Sequence, residues 1–215
     1  MEYLHFVVIL ALSYLVGSFP TSIVIGKVFF GTDIRQHGSG NAGGTNAVRV
    51  FGPAAGVAVI LVDIAKGVVA VLAIARLPEF ATMESPLLPL DVMALLAGCA
   101  AVIGHIWTAF ASFRGGKGVA TAAGMIAALY PVSFAVTLPF FVGAVAVSGI
   151  VSVGSMIAAV AFPVSVFVLD AAGAAAVSPI LRWFSVAIAV LIIYTHRSNL
   201  SRLARGEEKR MFGRR

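Results

Sequence analysis

The 215-residue chain is 60% hydrophobic and only 11% charged, with a mean hydropathy of +1.02. A soluble domain carries about 25% charged residues, so a water-soluble enzyme is excluded. The net charge of +6 belongs to an apolar chain, and membrane topology or anionic ligands explain it better than nucleic acid.

In chain order, apolar runs place membrane spans at 3–29, 53–75, 91–112, 118–130, 132–149, 151–170 and 179–195. The first segment, EYLHFVVILALSYLVG, opens with the acidic Glu2 and precedes Lys27 and Arg35. That is the pattern of an uncleaved helix with its N-terminus outside. The stretch 118–149 is divided by Pro131, because proline interrupts a helix ladder. Lys27, Arg35, Arg49, Arg114 and Lys117 are expected on one side. So is the basic tail with Arg197, Arg202, Arg205, Lys209, Arg210, Arg214 and Arg215. Returning the tail to that side needs an even number of spans after Lys117. Glu2, Glu79, Glu84, Asp91 and Asp170 fall opposite, against Arg76 and Arg182. The expectation is an all-α polytopic integral membrane protein of one domain over 1–215. It has seven transmembrane helices, N-terminus out and C-terminus in. No internal repeat supports an inverted-repeat transporter. Cys99 lies in an apolar run and reads as a packing residue.

Polar groups at a membrane are costly, so their clusters are functional candidates. The first is DIRQHGSGNAGGTNAVR, residues 33–49. Its glycines, Gly40 among them, let backbone approach a ligand and form an anion-binding nest. Ser39, Asn41, Thr45 and Asn46 add donors, and Arg49 offers a fork suited to phosphate. The GSGNAG match to a dinucleotide fingerprint follows a membrane helix, not a strand, and is discarded. The alternative is an ordinary polar loop.

Within the second span Asp63 and Lys66 are spaced to neutralise each other, a structural pair supporting the first loop or a substrate contact. FRGGKGVAT, residues 113–121, presents Lys117 beside Gly116 at a helix start; the spacing is not that of a Walker loop. The alternative is a topological charge. His105 either reaches this zone or is a packed helix histidine. Ser152 and Ser155 share a helix face, where they donate to an oxyanion or bond back to carbonyls. His196, Asn199 and Arg202 recur on roughly one face, or belong to a tail drawn to anionic lipid. No acidic cluster of metal-binding type accompanies these groups, so no metal is expected.

At these residues the chain resembles the PlsY-type bacterial membrane glycerol-3-phosphate acyltransferases, which use acyl phosphate. The resemblance runs through GSFPTS at 17–22, residues 33–49, DIAKG at 63–67, GHIW at 104–107, residues 113–121, VSVGS at 151–155 and HRSNLSRLARGEE at 196–208. It departs at Thr108, where similar proteins usually carry proline, and at Ala42 and Gly44. The resemblance implies seven helices, N-terminus outside, in the bacterial inner membrane with a cytoplasmic active site. It implies acyl transfer from acyl phosphate to the 1-hydroxyl of sn-glycerol 3-phosphate (class 2.3.1), giving lysophosphatidic acid and phosphate. This is the first acylation of phospholipid biosynthesis. No cofactor and no nucleic acid are expected, and the chain is expected as a monomer in the bilayer. The His-x4-Asp dyad of another acyltransferase superfamily is missing. The fifth residues after His5, His37, His105 and His196 are Leu10, Ala42, Phe110 and Ser201.

With an activated donor, positioning and charge stabilisation are the expected tasks. Ser39, Arg49, Lys117, Asn199 and Arg202 are expected to hold two phosphates. Glycine-loop backbone, including Gly40 and Gly116, with Ser152 or Ser155, would donate to the oxyanion. His196 or a substrate phosphate takes the hydroxyl proton. A transporter of an organic phosphate or other anion is the alternative.

Overall fold

The structure, a computed structural model, describes residues 2–77 and 87–211. Glu79, Glu84, Arg214 and Arg215, assigned above from charge bias, lie outside the described residues, as does the side chain of Glu2. All regular structure among the described residues is helical. The chain forms two compact units, Met1–Leu129 and Tyr130–Arg215.

The first unit holds α1 (Glu2–Ser18), α2 (Thr21–Phe30), α3 (Gly44–Phe51), α4 (Pro53–Leu72), α5 (Leu90–Ile106) and α6 (Val119–Leu129). Helix α1 packs on α5, and α4 packs on α3, α5 and α6. These contacts run at backbone distance. A Cβ on Gly17 would overlap the Ala101 backbone, and one on Gly104 the carbonyl of Tyr14. Likewise Gly67 faces the Thr121 carbonyl and Gly124 that of Ile64. Small residues at such contacts are what membrane helices need, since lipid is as apolar as leucine and only close packing favours protein over it.

The second unit holds α7 (Pro131–Ser148), α8 (Val151–Ala171), α9 (Pro179–Thr195) and α10 (Arg197–Ala204). Helix α8 packs on α7 and α9. Tyr130 donates to the Leu181 carbonyl (2.8 Å) and meets Phe162 edge-on. Asp170 closes the α8–α9 turn, pairing with Arg182 (3.0 Å) and accepting from the Val177 N–H (3.1 Å).

Two expected spans come out differently. The 3–29 run breaks at Phe19–Pro20 into α1 and α2, because Pro20 has no N–H to continue the ladder. The 118–130 run forms a helix of 11 residues, about 16 Å long against a hydrocarbon core of about 30 Å. By length and apolarity five segments qualify as spans: Tyr3–Phe30, Pro53–Arg76, Leu90–Ala111, Pro131–Ser148 and Val151–Ala171. Helices α9 and α10, bent by 54°, make a sixth if counted as one.

Candidate active site

In the first unit the polar residues gather on two loops. The α2–α3 loop opens with a single helical turn, Ile34–Gln36, capped by the Asp33 side chain on the Arg35 N–H (3.0 Å). Ile34 is fully buried with Ile23, Ala42, Ala47, Val59 and Ala111, which anchors this turn. Gly38 is left-handed (φ 63°), and Asn46 Oδ1 occupies the space where its Cβ would stand.

Asn46 differs from its expected role as a ligand donor. It is 1% exposed. Its Oδ1 accepts from the Ser39 N–H (2.8 Å), and its Nδ2 donates to the carbonyls of His37 (3.0 Å), Asn41 (3.1 Å) and Ile34 (3.3 Å). Those bonds spend the amide on the loop's own backbone, so Asn46 shapes the loop. Ser39 and Gly40 are exposed at its tip; Asn41, Thr45 and Arg49 are half-buried.

The α5–α6 loop carries Lys117, half-buried, just before α6. The Gly115 and Gly116 N–H groups donate to the carbonyls of Ile106 and His105, both at 3.0 Å. A Cβ on Gly116 would collide with the His105 Nε2 and lie 2.8 Å from the Ala42 carbonyl oxygen. The two glycine loops therefore touch at Gly116 and Ala42. His105 packs against the second loop, which joins the two readings left open for it.

Below the loops, Asp63 and Lys66 form a buried ion pair (2.6 Å). Asp63 Oδ1 also accepts from the Thr21 hydroxyl (2.9 Å) and lies 3.7 Å from His105 Nδ1. Lys66 donates to the Phe19 carbonyl (2.5 Å), beside the proline break. The pair secures the α1–α2 break directly. Thr108 donates to the Ser18 carbonyl, so this departure from the expected proline ties the end of α5 to α1.

In the second unit, Glu208 gathers what the sequence had left scattered. Its Oε1 accepts from Ser152 (2.9 Å) and Asn199 (2.5 Å), and its Oε2 from Arg202 Nε (2.6 Å). Burial raises its pKa, but the hydrogen bonds from Arg202, Asn199 and Ser152 outweigh that and hold the carboxyl below its ordinary value. Ser155 bonds back to the Val151 carbonyl (3.0 Å), so Ser152 alone of the two joins this network. His196, at the α9–α10 junction, is buried, and its Nδ1 donates to the Ile192 carbonyl (2.8 Å). A carbonyl only accepts, so the imidazole's remaining lone pair is on Nε2. In sequence Glu208 closes the 196–208 stretch and looks like tail charge; its place six residues after Arg202, just beyond the end of α10, is the available signal. Among the described residues no three His, Cys, Asp or Glu side chains are grouped to hold a metal.

The profile described as Glycerol-3-phosphate acyltransferase matches residues 7–206. The chain belongs to the glycerol-3-phosphate acyltransferase family. It is 44% identical to the glycerol-3-phosphate acyltransferase of Chlorobaculum tepidum, over 98% of this chain and 99% of that one. It is 42% identical to that of Chlorobaculum parvum, over 99% of each. Two crystal structures of PlsY, an integral membrane glycerol 3-phosphate acyltransferase, share the fold. The glycerol 3-phosphate form is 32% identical with a TM-score of 0.80, over 97% of this chain and 96% of that one. The lysophosphatidic acid form is 31% identical with a TM-score of 0.76, over 97% and 95%. The stretch matching the family covers both glycine loops, Ser152, Ser155, His196, Asn199 and Arg202; Glu208 lies just past it.

Proposed function

We propose that the chain transfers a fatty acyl group from acyl phosphate to the 1-hydroxyl of sn-glycerol 3-phosphate, releasing lysophosphatidic acid and phosphate. The observation that carries this reading is the pair of touching glycine loops, which bring exposed backbone, Ser39 and Lys117 into one zone of the first unit. Ser39, Asn41, Thr45, Arg49 and Lys117 bind phosphate oxygens there; Gly40 and Gly116, whose N–H groups are held by the His37 and His105 carbonyls (both 3.0 Å), line the site and let the phosphate approach, and Asn46 holds the loop in shape. Asn199 and Arg202 supply the second unit's donors; Ser152, on turning its hydroxyl from Glu208, donates to the oxyanion, and Ser155, on turning from the Val151 carbonyl, is the alternative. The absence of a His-x4-Asp dyad supports acyl phosphate as donor. Family membership supports glycerol 3-phosphate as acceptor.

The substrate hydroxyl oxygen bonds to the acyl carbon and a tetrahedral oxyanion forms. Its collapse breaks the bond from the acyl carbon to the phosphate oxygen and expels phosphate. Lys117 and backbone N–H groups stabilise the developing charge without a covalent intermediate. The hydroxyl proton passes to His196 Nε2 or to a substrate phosphate.

We also read the chain as one catalytic domain with seven spans, Val119–Leu129 being the short one. The polar loops and tail face the cytoplasm from the bacterial inner membrane, and a single copy suffices.

The test is release of phosphate from acyl phosphate by purified protein, dependent on glycerol 3-phosphate. Lys117→Ala and Arg49→Ala should each abolish it. Near-parental turnover in either refutes that residue's role. Equal turnover with an acyl thioester refutes the donor. A normal rate for His196→Ala at saturating substrate assigns the proton to the substrate phosphate.

A further inference from the structure

Between α5 and α6 the backbone makes an unusual turn. Ser112 (φ 56°) and Phe113 (φ 55°) both lie in the left-handed region, and neither is glycine. Such residues persist only where their surroundings hold them. The carbonyls on either side of this turn are those of Ala111 and Arg114, and Arg35 Nη1 donates to both (2.9 and 3.4 Å).

The other edge of the Arg35 guanidinium is fixed by Asp33. Nε donates to Oδ1 (3.0 Å) and Nη2 to Oδ2 (2.7 Å). The residue between them, Ile34, is buried in the same apolar cluster as Ala111. The fork is therefore aimed by a carboxylate on one side and delivered by a buried side chain on the other. In sequence Arg35 is a topological charge within the 33–49 stretch. Its donors are directed at Asp33 and the turn, so it is not built as a phosphate ligand. The chain runs from this turn straight into Gly115, Gly116 and Lys117.

We infer that Arg35 is a positioning residue: its guanidinium, oriented by Asp33, clamps the left-handed turn at Ser112–Phe113 and thereby presents Lys117 to a substrate phosphate. This rests on the reading above that Lys117 binds phosphate. Lysine cannot replace it, because one ammonium has no planar fork to hold a carboxylate and two carbonyls together.

The experiment measures steady-state kinetics and unfolding midpoints for Arg35→Gln, Arg35→Lys, Phe113→Gly, Arg35→Gln/Phe113→Gly and Lys117→Ala. Arg35→Gln and Arg35→Lys should raise the KM for a phosphate-bearing substrate about ten-fold, the scale of one charge-assisted hydrogen bond. The change in kcat should be smaller and the midpoint retained. Phe113→Gly alone should stay near parental. In the Arg35→Gln background it should reverse much of the rise in KM, because glycine takes one of the two left-handed positions without strain. If Arg35→Gln alone fails to fold, the double variant carries the test, and a KM near parental supports the clamp. Parental KM in Arg35→Gln with an inactive Lys117→Ala overturns the clamp alone. Loss of activity that tracks the midpoint, or that glycine does not restore, also overturns it. A fully active Lys117→Ala overturns the phosphate reading itself.

Discussion

Replacing Lys66 with methionine keeps most of the side chain's volume and removes its charge. In the parent, Lys66 Nζ donates to Asp63 Oδ1 (2.6 Å) and to the Phe19 carbonyl (2.5 Å), with side-chain exposures of 5% and 3% for the two ions. The variant strands the Asp63 carboxylate with Thr21 as its close hydrogen-bonding partner. Removing one member of a buried pair costs about 3–5 kcal/mol, because the other charge stays desolvated. Replacing both members with neutral residues is far milder, since no orphaned ion remains. Lys66→Met should therefore destabilise the first unit by about 3–5 kcal/mol, and Asp63→Asn/Lys66→Met by less than the single change. The assay is reversible unfolding by denaturing detergent in mixed micelles. Trp107 fluorescence reports it in a Trp183→Phe background, where no other tryptophan contributes. If Lys66→Met is neutral, or if the double variant costs the sum of the singles, the pair is not coupled as described.

Three other outcomes follow from the same geometry. Asn46→Ala removes the buried amide that joins four backbone groups; each stranded group costs about 1–3 kcal/mol, so the variant should lose activity and lower the unfolding midpoint, whereas Thr45→Ala should keep the midpoint. Gly116→Ala should lose activity through collision with His105, and His105→Ala should restore only part of it, because the Ala42 carbonyl still stands 2.8 Å from the new methyl. Glu208 has a pKa lowered in the folded state, so its contribution is present above the unfolded carboxylate's pKa and is lost as pH falls through the folded value. Limited proteolysis of the tail should therefore increase on acidification in the parent, and Glu208→Gln should flatten that dependence.

The helical segments were readable because apolar runs and basic clusters carry the membrane's own constraints. Six of the seven expected runs begin or end within a few residues of observed helices, and the first is the same run with a break at Pro20. That proline was visible, yet nothing local announced that Lys66 would reach its neighbour's carbonyl. The clusters around Ser39, Lys117 and Asn199 were legible for the same reason: glycine, amide and guanidinium are conspicuous in an apolar chain. Their division of labour was not. Composition marks Asn46 as a donor but cannot tell whether the amide points out or in. Asp33-x-Arg35 and Glu208 look like surface charge until their partners, far away in sequence or across a turn, are known.

The glycine contacts along α1, α4, α5 and α6 also bear on where such an enzyme can work. An assembly held by interlocking shape, with backbone against backbone at Gly17, Gly67, Gly104 and Gly124, does not depend on being greasier than its solvent. It should tolerate wide changes in acyl-chain length and saturation of the host bilayer. Outward-facing residues are then free to drift with the lipids of each organism, while a single added methyl on the inner seam forces helices apart.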